Sequence, residues 1–454
     1  MSVKPFLPPS PPALEATLDW AGVRDEATAL LSRLIQFDTS NPPGHESLVA
    51  EFLADLLAAE GIDVRLLAAA PGRANLVVRL PSDGSRPPLL LLGHTDVVYA
   101  DASQWRVPPF SGLVRDGYVW GRGALDMKGL LAMQVMALRL VKRLGLPLAR
   151  DVLLLATADE EDTGRYGAGW VVDQHWYEVA AEYVFGEGGV GIELDGRRVF
   201  LVATAEKGYA DLTLTARGLS SHASTPSGDN ALVTLAQAIQ RISTYRSRVQ
   251  LTEPVKGHLA ALAASRPWPE RQALAGVDLP LVNAWLVDRL NLPTIRHALR
   301  NTFTPTLAHA GHLANVVPDV AEATLNCRTL PGVGLGDLVS EVRRRLAGLP
   351  VEVGVRQFNP ASASPTATPF FQAIAEAARR ETPGAIVAPY MMPGATDARF
   401  FRAKGVTAYG LMPVCLTSEE MATIHGVDER LQVAHLEQGT RAILHLLMQM
   451  AGRS

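Results

Sequence analysis

The chain has 454 residues, with 42 basic against 46 acidic side chains and a formal net charge of −4. That near balance excludes a strong field for nucleic acid or an anionic membrane surface, and the length exceeds one ordinary core, so two domains are expected. The two cysteines, Cys327 and Cys415, are too few for a disulfide framework and stand in no metal-binding or redox pair. Any metal must therefore be held by nitrogen and oxygen.

The opening segment, MSVKPFLPPSPPALEATLDW, has prolines where a secretion signal needs an unbroken apolar stretch. No apolar run approaches the length of a membrane span, so a soluble cytoplasmic protein is expected. Residues 22–60 carry two amphipathic stretches separated by FDTSNPPGHE, whose Pro42, Pro43 and Gly44 forbid one continuous helix. Strands are predicted at Ala74 to Leu80, Leu89 to Leu92 and Val152 to Ala158. A helix over Leu130 to Leu144 stops at Gly145, with Pro147 beyond. Buried strands alternating with helices predict an α/β sheet covered on both faces.

Near Glu206 the pattern changes, because YADLTLTARG alternates apolar and polar residues as a half-buried strand does. A helix from Asn230 to about Tyr245, strand VAEATLNCR, helix LGDLVSEVRRRLAGL and strand VEVGVRQF suit a small α+β domain with helices on one face. Residues 250–300, with Trp268, Trp285 and weak helical periodicity, read as an insertion within it. From Pro360 the first pattern resumes, with helices at Phe370 to Arg380 and Asp397 to Ala403, strands near Val387 to Met392 and Val406 to Leu411, and a last helix over Glu429 to Met450. The expected organisation is a first domain of residues 1–206 and 360–454, interrupted by a second of residues 207–359.

Five side chains able to ligate metal, His94, Asp126, Glu161, Glu187 and His425, sit in the short motifs GHTDVV, GRGALDMKG, DEED, GEGG and HGVDE. His94 and Asp96 end a predicted strand, where open α/β sheets bind ligands, and Asp96 is placed to accept the second ring proton of His94 and fix its tautomer. Asp126 alone reads as a helix N-cap. The three glycines of GRGALDMKG instead suggest close backbone approach to a bound group, and a nucleotide fingerprint fails because neither a preceding strand nor the required glycine spacing is present. Glu160 and Glu161 follow a predicted strand, and two neighbouring carboxylates can divide the work, one holding metal and one taking a proton from water. Glu187 repeats that placement after the apolar YVF. His425 and His222, the latter in GLSSHASTP, would be unremarkable singly among eleven histidines.

Taken in order, from about residue 26 to the C-terminus, these segments resemble the dinuclear zinc aminoacylase and carboxypeptidase family. That family includes acetylornithine deacetylase, succinyl-diaminopimelate desuccinylase, carboxypeptidase G and carboxypeptidase S. The stretch HAGHLANVVPDVAEATLNCRTLPG and the insertion look most like the carboxypeptidase S branch. The resemblance implies a mixed-sheet metallopeptidase domain interrupted by a smaller lid, and two divalent metal ions, zinc first, with cobalt or manganese as alternatives. It assigns His94 and Glu187 to one ion, Glu161 and His425 to the other, Asp126 as the bridge with a cis bond to Met127, and Glu160 as general base. The lid of such enzymes commonly makes a homodimer, and His222 resembles the lid histidine that polarises the scissile carbonyl, often in the partner's site. Asn315 in NVVP and Arg399 in GATDARFF match positions that bind the substrate carboxylate, a task for which the planar Arg fork is suited. One departure is VVYAD after His94, where many relatives carry proline after the two valines. The implied reaction is hydrolysis of an amide bond beside a free carboxylate, in a peptide or N-acyl amino acid. A dedicated deacylase of a biosynthetic amino acid, an aminopeptidase, and a metal-binding protein with a vestigial site are the alternatives.

Overall fold

The computed structural model describes residues 18–226, 228–263, 268, 270–275 and 295–453. Most of the Pro-rich leader, and the part of the insertion that holds Trp285, lie outside the described residues. Two compact units are present, one of Met1–Ala203, Ser364–Ala388 and Thr396–Ser454, the other of Thr204–Ala363 and Pro389–Ala395.

In chain order the first unit opens with α1 (Trp20–Ile35), capped by Asp19 accepting the Gly22 N–H, and α2 (Ser47–Ala58). Strands β1 (Asp63–Ala70), β2 (Arg73–Leu80) and β3 (Leu89–His94) follow, then a hairpin of β4 (Leu113–Arg115) and β5 (Tyr118–Trp120). Helix α3 (Lys128–Arg143), β6 (Val152–Thr157), α4 (Ala168–Gln174), α5 (Trp176–Val179) and the hairpin of β7 (Tyr183–Leu194) and β8 (Arg197–Glu206) come next. Along β3, Leu89 and Leu91 join the large core with α1, α2 and α3, whereas Leu90 and Leu92 join a second core with Ala168 and Val171 of α4. Leu154 and Leu153 of β6 divide in the same way. A strand buried on both faces reads as a continuous apolar run, which is why LLLL and VLLLA mark the sheet centre. Each such leucine contributes about 1.5–3 kcal/mol of burial.

The second unit continues with β9 (Gly208–Arg217), the short β10 (Ser221–His222), α6 (Ala231–Ser243), α7 (Glu253–Ala263), α8 (Glu270–Ala275), β11 (Thr302–Ala310), β12 (Val316–Val317), β13 (Val320–Thr329), α9 (Leu335–Arg345), β14 (Val351–Asn359) and β15 (Ser362–Ala363). Its antiparallel sheet has the order β11-β13-β9-β14. Alternate residues Ala210, Leu212 and Leu214 of β9 and Ala323 and Leu325 of β13 face Leu235 and Ile242 of α6 and Leu338 and Val342 of α9, so the helices cover one face only. Within the insertion, Val255 and Leu259 of α7 form a separate small core with Ala298, Leu299 and Met391.

The chain then adds α10 (Pro369–Glu381), started by Thr368 at its cap and Pro369 in its first turn, β16 (Ile386–Met392), α11 (Ala398–Ala403), β17 (Thr407–Leu416), α12 (Ser418–Met421), β18 (Arg430–Gln432) and α13 (Val433–Ala451). The first unit's sheet runs β1-β2-β6-β3-β7-β17-β8, with β3, β6, β7 and β17 parallel to their neighbours in that group and β1, β2 and β8 antiparallel. The mixed α/β class expected from the sequence is met. Two expectations are corrected: a strand, β5, does precede GRGALDMKG, and the last helix starts at Val433 because Arg430–Gln432 pairs with β5. Among the described residues no helix is long and apolar enough to cross a membrane.

Candidate metal centre

His94 is the last residue of β3, beside Thr157 at the end of β6, and its ring is almost fully buried. Its Nδ1 lies 2.9 Å from the main-chain oxygen of Asp96, so Nδ1 carries the proton and Nε2 is left as the ligand atom. The Asp96 carboxylate, expected to accept that proton, is 3.6 Å away. It accepts instead the main-chain N–H groups of Glu160 and Glu161, each at 3.1 Å, and the Asn41 amide at 2.9 Å. Asp96 thus fixes the His94 tautomer through its carbonyl and the acidic loop through its carboxylate.

Around His94 Nε2 stand Asp126 Oδ1 at 3.1 Å, Glu187 Oε2 at 3.7 Å and Glu160 Oε2 at 4.0 Å. The other oxygen of Asp126 faces His425 Nε2 at 3.1 Å, and Glu161 Oε2 is 3.2 Å from the same nitrogen. Two donors that share a tetrahedral ion at about 2.0–2.2 Å stand about 3.3–3.6 Å apart, and the distances of Asp126, Glu187 and Glu161 to the two imidazoles lie within a few tenths of an ångström of that spacing, with Glu160 farther out. Asp126 offers one oxygen to each. It does not cap α3, whose N-cap position is Met127, and the Asp126–Met127 bond is cis as expected.

The electrostatics fit cations. Burial opposes charge on His94, yet Glu187, Asp126 and Asp96 outweigh it and hold its pKa well above the imidazole range. Hydrogen bonds to Asp126 and Glu161 bring His425 up to about 10. Burial, with Glu187 close by, pushes Glu160 well above the carboxylate range, and burial against the pull of His94 leaves Glu187 at about 7. Glu160, Glu187 and both imidazoles are therefore biased toward protons that divalent ions would displace, while hydrogen bonds to His425 and His94 hold Asp126 below the carboxylate range despite its burial. Glu161 Oε1 is buried without a hydrogen-bond partner, an orphan that a cation would satisfy.

Two placements differ from the sequence reading. Glu187 lies inside β7, because that strand leaves β3 after Phe185 and continues against β17 and β8. The motif glycines serve packing within the protein: a Cβ on Gly129 would stand 2.2 Å from the Ala124 carbonyl, and one on Gly189 would stand 2.1 Å from that of Leu201. Gly410 of β17 is equally constrained, since its Cβ would lie 1.4 Å from the Glu187 carbonyl.

Residues with no sequence signal complete the surroundings. Glu46, Arg73 and Asp159 form a buried chain in which Arg73 donates to Glu46 at 2.7 Å and to Asp159 at 2.9 Å, anchoring the loop that carries Glu160 and Glu161. Lys128 is fully buried, donates to the Phe37 carbonyl at 2.9 Å, and is brought by burial to about 7. Asp397 shares a small void with His94, Met127 and Glu187. It accepts from Thr157 at 2.7 Å, keeps Oδ1 buried without a hydrogen-bond partner, and is raised by burial to about 6 against the pull of Arg399.

Arg399 lies in the same unit as the cluster, with two of its nitrogens on the carbonyls of Thr396 and Thr163 and its guanidinium over the Phe400 ring. His222 and Asn315 belong to the second unit and are brought together by the β10–β12 pair, where the Ala223 N–H donates to the Asn315 carbonyl at 2.9 Å. His222 Nδ1 accepts the Ser224 main-chain N–H at 3.2 Å and stands 2.7 Å from Ser224 Oγ.

The sequence profile described as peptidase family M20/M25/M40 matches residues 90–449. The chain belongs to that family. This M20 protein is a metal-dependent hydrolase of amide bonds, as its motifs imply. It is similar to human N-fatty-acyl-amino acid synthase/hydrolase PM20D1, 31% identical over 387 residues that cover 81% of this chain and 74% of the human one. It is similar to the probable carboxypeptidase S-like 2 of Dictyostelium discoideum, 28% identical over 380 residues covering 80% and 72% of the two chains. Its fold is similar to that of the M20 metallo-carboxypeptidase Sso-CP2 from Sulfolobus solfataricus, with a TM-score of 0.69, 18% identity and coverage of 93% and 98%.

Proposed function

We propose that this M20 protein hydrolyses the amide bond next to a free carboxylate, in N-acyl amino acids and short peptides, using two zinc ions for which Asp126 would supply a shared carboxylate. The observation that carries the reading is Asp126 itself, with one oxygen 3.1 Å from His94 and the other 3.1 Å from His425. His94 and Glu187 would hold one ion, Glu161 and His425 the other. When bound, the ions supply Lewis acidity and lower the pKa of water.

Glu160 takes the proton of the attacking water and passes it to the leaving amine. Its main-chain N–H, held by Asp96 at 3.1 Å, keeps the side chain beside the ligand atoms without spending it on a hydrogen bond. His222 donates Nε2–H to the developing oxyanion, a role supported by the Ser224 N–H on its Nδ1. Arg399 and Asn315 bind the free carboxylate of the substrate. The second unit acts as lid and dimer surface, which its exposed Leu232 and Val233 on α6 and Leu307 on the edge strand β11 support. A cytoplasmic site of action belongs to the same reading and is tested by fractionation.

The experiment is a substrate panel of N-acyl amino acids, their C-terminal amides and free-amine dipeptide amides, assayed with added zinc. Cleavage that requires the free carboxylate supports the proposal. Cleavage that requires a free amine and ignores the carboxylate makes the protein an aminopeptidase.

A further inference from the structure

The loop that carries Asp126 and the loop that carries His425 come from distant parts of the chain, yet one buried carboxylate ties them. Glu429 Oε1 accepts the main-chain N–H groups of Leu125 at 2.7 Å and Asp126 at 3.0 Å. Its Oε2 accepts the Gly123 N–H at 3.1 Å and Arg122 Nη1 at 2.6 Å. Arg122 in turn donates Nη2 to the Gly426 carbonyl at 2.8 Å, the residue next to His425. The Gly121 N–H closes the contact on the Glu429 carbonyl at 2.8 Å. Both side chains are buried, at 3% and 0% exposure.

A carboxylate accepts about four hydrogen bonds, so Glu429 is filled by its donors and has none left for a metal or substrate. A buried ion pair alone would be weak evidence of anything beyond packing. Here three of the four donors are main-chain groups of the ligand loop, one of them the N–H of Asp126. The same pair also holds the backbone beside His425. We infer that Glu429 and Arg122 are positioning residues that set the distance between Asp126 and His425, and with it the affinity of the ion those two share. The inference rests on the reading of Asp126 and His425 as ligands of one ion. His94 and Glu187, on β3 and β7, are positioned independently of this clamp, so the ion they would hold depends on it through Asp126 alone.

Zinc titration of the metal-free full chain, by calorimetry and by chelator competition, tests it with Glu429→Asp and Glu429→Gln. Glu429→Asp keeps the charge opposite Arg122 but withdraws the carboxylate by one methylene, so it tests the inference even if the uncharged variant does not fold. The second equivalent of zinc is expected to weaken about 10- to 100-fold, the usual effect of removing a residue that orients a ligand, and the first, which keeps His94 and Glu187, to weaken by a clearly smaller factor. Cobalt absorption of the second equivalent is expected to change with it. Equal weakening of both equivalents, or weakening of neither, overturns the inference. His425→Ala runs in parallel: an unchanged second equivalent there refutes the ligand assignment itself and removes the basis of the inference.

Discussion

Replacing Glu160 by Gln separates proton transfer from metal binding. Glu160 Oε2 stands 4.0 Å from His94 Nε2, whereas Asp126 and Glu187 stand at 3.1 and 3.7 Å, so Glu160 is the outlying member of that group. The geometry nonetheless admits it as a ligand, since His94, Glu160 and Glu187 have donor atoms within 4.8 Å of one another. If it is the base, Glu160→Gln lowers kcat by about 10²- to 10⁴-fold, equivalent to about 3–5 kcal/mol of barrier. KM changes little, because the residue touches the reacting water and not the bound carboxylate. The assay pairs steady-state kinetics on the best N-acyl amino acid of the panel with metal analysis of the same preparation. Two ions per chain with activity lost is the expected result. Loss of one ion would show that Glu160 is a ligand and that its role and that of Glu161 have been exchanged.

His222→Ala is expected to cost about 10²- to 10³-fold in kcat, as loss of an oxyanion donor does. If His222 serves the partner's site, equal mixing with Glu160→Gln after demonstrated subunit exchange restores about a quarter of wild-type activity, because half the dimers are mixed and each carries one intact site. Exchanged mixtures as inactive as the parents contradict the trans arrangement. Acid sensitivity has an identifiable source in the second unit, where buried His258 donates to the Pro389 carbonyl at 2.9 Å and burial lowers its pKa from 6.5 to about 4. The unfolded chain takes up that proton first, so the stabilisation is full above pH 6.5 and is lost as pH falls toward 4. Between pH 7 and pH 5 the loss is about 2 kcal/mol. His258→Asn, which keeps a donor for Pro389, is expected to flatten the thermal stability profile over that range; an unchanged slope would place the sensitivity elsewhere.

How much of this was legible in the sequence depends on distance along the chain. His94 could be placed because Leu89 to Leu92 is buried on both faces and motif residues at the end of such a run sit at the sheet's ligand-binding edge. For Asp96, sequence cannot tell a residue's carbonyl from its carboxylate, and the two do different work here: the carbonyl meets His94 and the carboxylate holds the Glu160 and Glu161 main chain. Glu187 was placed at a strand end because its glycines mimic a break, while β7 runs on through them, the narrow passage beside Gly410 requiring glycine at both strands. Arg122 and Glu429 left no trace, since their contact spans 307 positions and each stands in a motif already attributed to a neighbour. The buried Glu46, Arg73 and Asp159 are hidden for the same reason.

The central claim is that one carboxylate, Asp126, bridges two ions. Anomalous diffraction from crystals of the zinc-loaded protein tests it most directly. Two peaks are predicted, one between His94 and Glu187 and one between Glu161 and His425, each in contact with a different oxygen of Asp126. A single peak, or two peaks of which Asp126 touches one, would contradict the account.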